Sequence, residues 1–128
     1  MSTSGLMKGK RGLIMGVANN HSIAWGIAEA LHKAGAELAF TYAGETFKKR
    51  VEPLVAPLNP AAVMDCDVTQ QSSIDAAFAE LKTKWDSIDF LVHAIAFSDK
   101  NQLQGRYIDT TPENFQNTLN ISAYSFTA

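Results

Sequence analysis

Four short, largely unbroken apolar runs, each followed by a stretch of helical periodicity, constrain this chain more than any other feature. They are Leu13–Gly16, Glu37–Tyr42, Ala62–Cys66 and Phe90–Ile95. A strand with one wet face alternates apolar and polar residues, whereas a continuous run signals a strand covered on both faces. Where strands alternate with helices, that means a parallel sheet between two helical layers.

The intervening stretches have readable ends. The first runs from Ser22 to Ala34, with Ile23, Ile27 and Leu31 four apart as the expected core face, Lys33 in the last turn and Gly35 as a left-handed cap. The second spans Glu45 to Val55 and gives way to a loop carrying Pro53, Pro57 and Pro60. In the third, Ser72 and Asp75 read as a capping box ahead of Ile74, Phe78, Leu81 and Trp85. The last opens with Thr111 as N-cap, then Pro112 and Glu113.

The resulting order, βαβαβαβ and a helix, predicts an α/β class: a Rossmann-type doubly wound parallel sheet, first half, with strand order 3-2-1-4. Its ligand crevice lies between strands one and four at their carboxyl ends. The 128 residues suffice for one core, so residues 1–128 are expected to form a single dinucleotide-binding domain. The fourth run would be an edge strand, yet it is the most apolar of the four, and natural edges are blunted. The segment Ile121–Ala128 shows no C-cap signal. Together these lead to the expectation of a domain incomplete at its C-terminal side.

Several function classes are disfavoured. Net charge is 11 − 13 = −2, and no basic run exceeds Lys48-Lys49-Arg50, which argues against nucleic acid. The opening residues, Met1–Met7, lack the apolar core of a signal peptide and read as a short frayed tail. The longest apolar run, Phe90–Phe97, is too short to span a membrane and is interrupted by His93. A single cysteine, Cys66, excludes an internal disulfide, suits a reducing cytoplasm, and reads as a small hydrophobe. His21, His32 and His93 fall in a loop, a helix and a strand without ligand spacing, so no metal site is expected. The Asn-x-Ser triplets at Asn20 and Asn120 are read as chance.

The junction after the first strand carries the functional signal. A helix that starts close behind a strand aims free N–H groups and the positive end of its dipole at one point, where a phosphate can sit. Gly16 would let the backbone approach a pyrophosphate, and Gly26 would let the helix pack tightly on the sheet. Five residues separate Gly16 from Ser22 and three separate Ser22 from Gly26, so the spacing is not Gly-x-Gly-x-x-Gly. An ordinary strand-to-helix turn stays open at this point.

Three other strand ends face the same crevice. Asp67 can accept from an adenine amino group with the Val68 backbone along the ring, or it can start the turn before Thr69. Ala94-Ile95-Ala96 can let the backbone pass close to a nicotinamide ribose, or it can be plain core. Thr41-Tyr42-Ala43-Gly44 offers neither an acid for a ribose 2′-hydroxyl nor an arginine for a 2′-phosphate. Lys48, Lys49 and Arg50 read as a solvated helix face, and NADH is favoured over NADPH.

The run from Gly9 to Ala28, together with Gly35–Tyr42, Cys66-Asp67-Val68 and Ile121–Phe126, closely resembles the bacterial enoyl-acyl-carrier-protein reductases of type II fatty-acid synthesis. These are divergent short-chain dehydrogenases/reductases. The resemblance covers nearly all of the chain, and Gly-x5-Ser-Ile separates it from ordinary members of that superfamily, which carry Thr-Gly-x3-Gly-x-Gly. It implies that Gly16, Ser22 and Ile23 hold the pyrophosphate, Ala43 lies near the adenosine ribose, Asp67 and Val68 take the adenine, and Ile95 lies on the nicotinamide side. Ser98 would touch substrate, and Phe97 to Tyr107 would border the acyl pocket. Ala43 departs from the glutamine of many relatives, and Ala94-Ile95-Ala96 from their Ser-Ile-Gly.

The implied reaction is hydride transfer from NADH to C3 of a trans-2-enoyl thioester on acyl carrier protein, with the enolate held by a tyrosine hydroxyl beside a lysine. The family's Tyr-x6-Lys lies after a fifth strand, so no catalytic residue is assigned within these residues, which by themselves are expected to be inactive. No Tyr-x6-Lys pair is expected within these residues, and Tyr107 and Tyr124 have no lysine after them. A cytoplasmic homotetramer is the implied assembly. Two alternatives remain: another short-chain dehydrogenase such as a carbonyl reductase, against which Gly16-x5-Ser22 argues, and a non-catalytic nucleotide-binding module.

Overall fold

In the computed structural model, which describes residues 5–128, four strands pair in parallel in the order β3-β2-β1-β4. They are β1 (Arg11–Met15), β2 (Glu37–Tyr42), β3 (Val63–Asp65) and β4 (Phe90–His93). This is the doubly wound order anticipated from the apolar runs. In register, Leu13 stands between Ala39 and Leu91, and Tyr42 faces Asp65. Between the strands run α1 (Ile23–Lys33), α2 (Glu45–Val55) and α3 (Gln71–Lys82). After β4, α4 (Pro112–Leu119) continues through a π-helical turn (Asn120–Tyr124) into the short α5 (Ser125–Thr127).

Pleating divides the core in two. Leu13 and Met15 point to one face with Ala39, Met64, Ile74, Ala77, Leu81 and Trp85, under α3. Ile14, Leu38 and Phe40 point to the other with Ala24, Ala28, Val51 and Val55, under α1 and α2. Covering both faces is what makes β1 and β2 read as continuous apolar runs, whereas β4, at the sheet edge, is half-buried along its length despite its apolar sequence.

The helices differ from expectation in four places. On α1 the face toward the sheet is Ala24 and Ala28; of the expected stripe only Leu31 packs against the core, while Ile23 is 80% exposed and Ile27 lies at the surface. The two stripes are one residue apart, and the small side chains occupy the contact because the sheet below already supplies bulk from Ile14 and Phe40. Gly26 is exposed, and a Cβ there would meet nothing, so it plays no part in that packing. The Ser72–Asp75 capping box does not form: Gln70 is the N-cap, and Asp75 instead accepts from Gln71 Nε2 at 3.0 Å. Pro53 lies inside α2 rather than in the loop beyond it, close enough to the C-terminal end that only one helical bond is lost.

The other ends match their signals. Gly35 follows α1 with φ +99°, and Thr111 Oγ1 accepts from the Asn114 amide at 3.2 Å. The frayed-tail reading fails over its described part. Met7 donates its N–H to the Ala34 carbonyl at 2.7 Å and packs against the α1–α2 side of the core, whereas Met1–Ser4 lie outside the described residues.

This packing generates a paired prediction. Ala28→Leu forces bulk between α1 and the sheet and should destabilise by about 1–3 kcal/mol. Ile23→Ser, at the stripe that looks like core in the sequence, should change stability by less than about 0.5 kcal/mol. Urea unfolding of both variants checks this, and a larger effect at Ile23 than at Ala28 would reverse the assignment of the face.

Candidate functional site

The site is built where β1 and β4 end side by side. The Met15 carbonyl accepts from the Ala94 amide at 2.9 Å, and the chain then turns at Gly16 with φ +112°. A Cβ on Gly16 would sit 2.1 Å from the Ala94 carbonyl oxygen. The missing side chain therefore serves the passage of two backbones in the first place, and the approach of a ligand only through it.

The loop after Gly16 closes on Ser22. Its Oγ accepts from the Ala18 amide at 2.9 Å and the Asn19 amide at 3.1 Å, and Asn19 Oδ1 accepts from the His21 amide at 2.8 Å. With its acceptor sites used by two N–H groups, the Ser22 hydroxyl is left with its own proton to give. The Ser22 carbonyl takes the amides of Trp25 and Gly26 at 3.0 and 3.3 Å. The Ile23 and Ala24 amides come earlier in the first turn, where no intrahelical carbonyl is available. The hydroxyl proton and the two amides, beside the bent loop, are donors with no acceptor among the described residues, an arrangement suited to an anion.

Two clefts meet over this point. One, of about 270 Å³, is walled by Val17, Thr41, Tyr42, Cys66 and Val68 with Phe97 across from them. The other, of about 430 Å³, is walled by Ser22, Ile23, His93 and Ser122. Gly16 and Ala94-Ile95-Ala96 belong to both. Among the described residues no lysine, arginine, aspartate or glutamate lines either cleft, so the donors available to an anion there are backbone amides and the Ser22 hydroxyl. Burial pushes the Tyr42 phenol and the Cys66 thiol up, which keeps both neutral at ordinary pH.

The residues singled out in the sequence divide accordingly. Ala43 and Val68 line the first cleft, Ser22 and Ile23 the second, and Gly16 and Ile95 both. Asp67 lines neither: its Oδ1 accepts from Thr69 N at 2.9 Å and Thr69 Oγ1 at 2.6 Å, the turn that the sequence left open as its alternative role. These two bonds hold its carboxyl below the usual aspartate range. Ser98 is also outside both clefts and accepts from Thr118 Oγ1 at 3.1 Å.

The spacing Tyr-x6-Lys does occur once, from Tyr42 to Lys49, against the expectation of none. It is not an acid–base pair. Lys49 is exposed on α2, the lysine whose charge reaches Tyr42 is Lys48, and the phenol is raised rather than lowered. The sequence set Thr41 and Tyr42 at a crevice-facing strand end and Phe97 beside an acyl pocket without giving them a role toward this cleft, and it overlooked His93 and Ser122 in the second. His93 is the last residue of β4, a strand-end signal that was available. Ser122 reaches the site only through the fold.

Comparison with known proteins gives a consistent picture. A family model described as enoyl-(acyl carrier protein) reductase matches residues 16–128. The chain is similar to enoyl-[acyl-carrier-protein] reductase [NADH] 1 of Rhizobium meliloti, 62% identical over 98% of this chain and 46% of that protein. It superposes on the crystal structure of FabI from Candidatus Liberibacter asiaticus with a TM-score of 0.94 and 52% identity, covering 97% of this chain and 48% of the other. It also superposes on the enoyl-(acyl-carrier-protein) reductase of Anaplasma phagocytophilum in complex with NAD, with a TM-score of 0.93 and 54% identity over 99% of this chain and 48% of the other. The chain spans about half the length of the curated relatives it matches.

Two predictions come from this geometry. Gly16→Ala should cost at least about 1–3 kcal/mol for the backbone conformation alone, with the Ala94 contact adding to it, and thermal unfolding reads the loss. Asp67 contributes stability that is present above the ordinary aspartate value of 3.8 and is lost as pH falls through its lower folded value. Asp67→Asn can keep the turn without the charge. The difference in urea midpoint between wild type and variant at pH 6 should therefore narrow at pH 3, and a constant difference would contradict this.

Proposed function

Because the chain belongs to the enoyl-(acyl carrier protein) reductase family, we propose that it forms the dinucleotide-binding part of an NADH-dependent enoyl-acyl-carrier-protein reductase. The observation that carries the proposal is the meeting of two clefts over Gly16, at the carboxyl ends of β1 and β4, beside the open amides of α1. A dinucleotide is two mononucleotides joined by a pyrophosphate, and this site has two recesses joined at a donor-rich point.

The residues present fit that ligand. The pyrophosphate would lie at Gly16, the Ser22 hydroxyl and the amide of Ile23, where the first turn of α1 offsets its charge. The adenosine half would occupy the first cleft, with Ala43 beside its ribose, Val68 along the ring and the second oxygen of Asp67 available to the adenine amino group. The nicotinamide half would lie in the second cleft against Ile95. When bound, NADH supplies the hydride for C3 of an enoyl thioester carried on acyl carrier protein. Ser98 would act at the margin, approaching substrate by exchanging its bond to Thr118.

That neither lysine nor arginine lines the described cleft walls, Lys48 acting on Tyr42 only by its charge from α2, supports NADH over NADPH. Residues 1–128 are read as one dinucleotide-binding domain, and the working enzyme as a cytoplasmic homotetramer. Among the described residues no helix is long and apolar enough to cross a membrane. None of the residues in the two clefts is assigned as the reaction's catalytic acid.

Fluorescence titration should show saturable NADH binding, at least about tenfold tighter than NADPH, competed by AMP. A folded protein that leaves NADH fluorescence unchanged would overturn the proposal. Intact mass establishes the length at which the cell makes the protein. At that length it should oxidise NADH in the presence of an enoyl thioester, whereas oxidation with ketones but not enoyl thioesters would favour a carbonyl reductase.

A further inference from the structure

The wall shared by both clefts, Ala94-Ile95-Ala96, lies beyond the end of β4, with the Ala94 amide still bonded to the Met15 carbonyl of β1. The residues on either side of it, His93, Phe97 and Ser98, are held by one face of the terminal helical segment. Thr118, Ser122 and Ser125, four and three residues apart, each present a hydroxyl to the chain leaving β4. Thr118 Oγ1 donates to Ser98 Oγ at 3.1 Å, and Ser125 Oγ meets His93 Nε2 at 2.7 Å. Ser125 spends its own proton on the Ile121 carbonyl at 2.6 Å, so His93 must carry its proton on Nε2 and donate to Ser125.

The middle hydroxyl does more than the outer two. Ser122 Oγ accepts from the Phe97 amide at 3.0 Å and donates to the Phe97 carbonyl at 3.1 Å. It satisfies both polar groups of one residue, as the neighbouring residue in a strand ladder would. Ser122 also lines the second cleft, directly beside Ile95 and Ala96. The π-helical turn that contains it, Asn120–Tyr124, is a form often found at functional sites.

We propose that Ser122 is a positioning residue for the nicotinamide half of the dinucleotide. By standing in for a ladder partner at Phe97, it fixes the extended course of Ala94-Ile95-Ala96 and so sets the depth of the second cleft. This rests on the dinucleotide reading above. The adenosine half lies against β2 and β3 and does not depend on this hydroxyl, so the two halves of the ligand should respond differently to its loss.

NADH binding by fluorescence and AMP binding by its competition with NADH separate them. In Ser122→Ala, NADH affinity should fall by about tenfold while the AMP inhibition constant stays within about twofold of wild type. Ser122→Thr, which keeps the hydroxyl, should restore NADH binding. Ser122→Cys, similar in volume but a poor hydrogen-bonding group, should behave like the alanine variant and serves if the latter does not fold. Thr118→Val, which removes an outer rung away from both clefts, should leave the ratio of the two affinities as in wild type. Equal losses for NADH and AMP in Ser122→Ala, or no loss for either, would overturn the positioning role while leaving the dinucleotide reading intact. A folded wild-type protein that binds neither nucleotide would overturn both.

Discussion

Everything in this molecule is set by the position of β1. It pairs in parallel with β2 on one side and β4 on the other, and its side chains alternate between two separate apolar clusters. A strand held in this way has little freedom to tilt or slip, because a shift of one residue would exchange the two clusters. Its carboxyl end is consequently a fixed point. The loop to α1, the end of β4 and the rims of both clefts are all referred to it.

The contacts around that fixed point use small groups throughout. Gly16 passes the Ala94 carbonyl with no side chain between them; Ala24 and Ala28 bring α1 down to the sheet; Ala43, Ala94 and Ala96 leave open the space that larger residues would fill. Polar work is delegated to single hydroxyls. Ser22 gathers two amides of the first loop, Ser73 receives the Asp67 amide at the end of β3, and Ser122 closes on Phe97. Each is a short side chain that joins backbone segments without occupying the crevice.

How much of this could be read beforehand depended on the range of the interaction. Strand positions and their order were legible, since burial on both faces writes itself as a continuous apolar run, and β2 was read to its residue limits. The N-cap at Thr111 and the turn at Gly35 were legible because both are local. The buried face of α1 was misread because alanine carries little hydrophobic signal beside isoleucine, and only the shape of the sheet decides which stripe is covered. The Ser72–Asp75 box lost to Gln70 as N-cap, with Asp75 taken up by Gln71. The hydroxyls at Thr118, Ser122 and Ser125 could not be found at all. Their partners stand 20 to 32 residues earlier in the chain, and nothing in the local pattern distinguishes them from an ordinary polar face.

The pairing of β1 with β4 also has a kinetic side. Arg11 and Asp89, which join the two strands at their entry, are 78 residues apart, whereas β2 follows β1 after a single helix. Contacts that close so long a loop form late relative to local ones, because the entropy of closure must be met before the contact rewards it. The first βαβ unit can therefore assemble while the wall formed by Ala94-Ile95-Ala96 is still missing. A chain stalled at that stage would have a well-formed loop and helix start but only half a crevice.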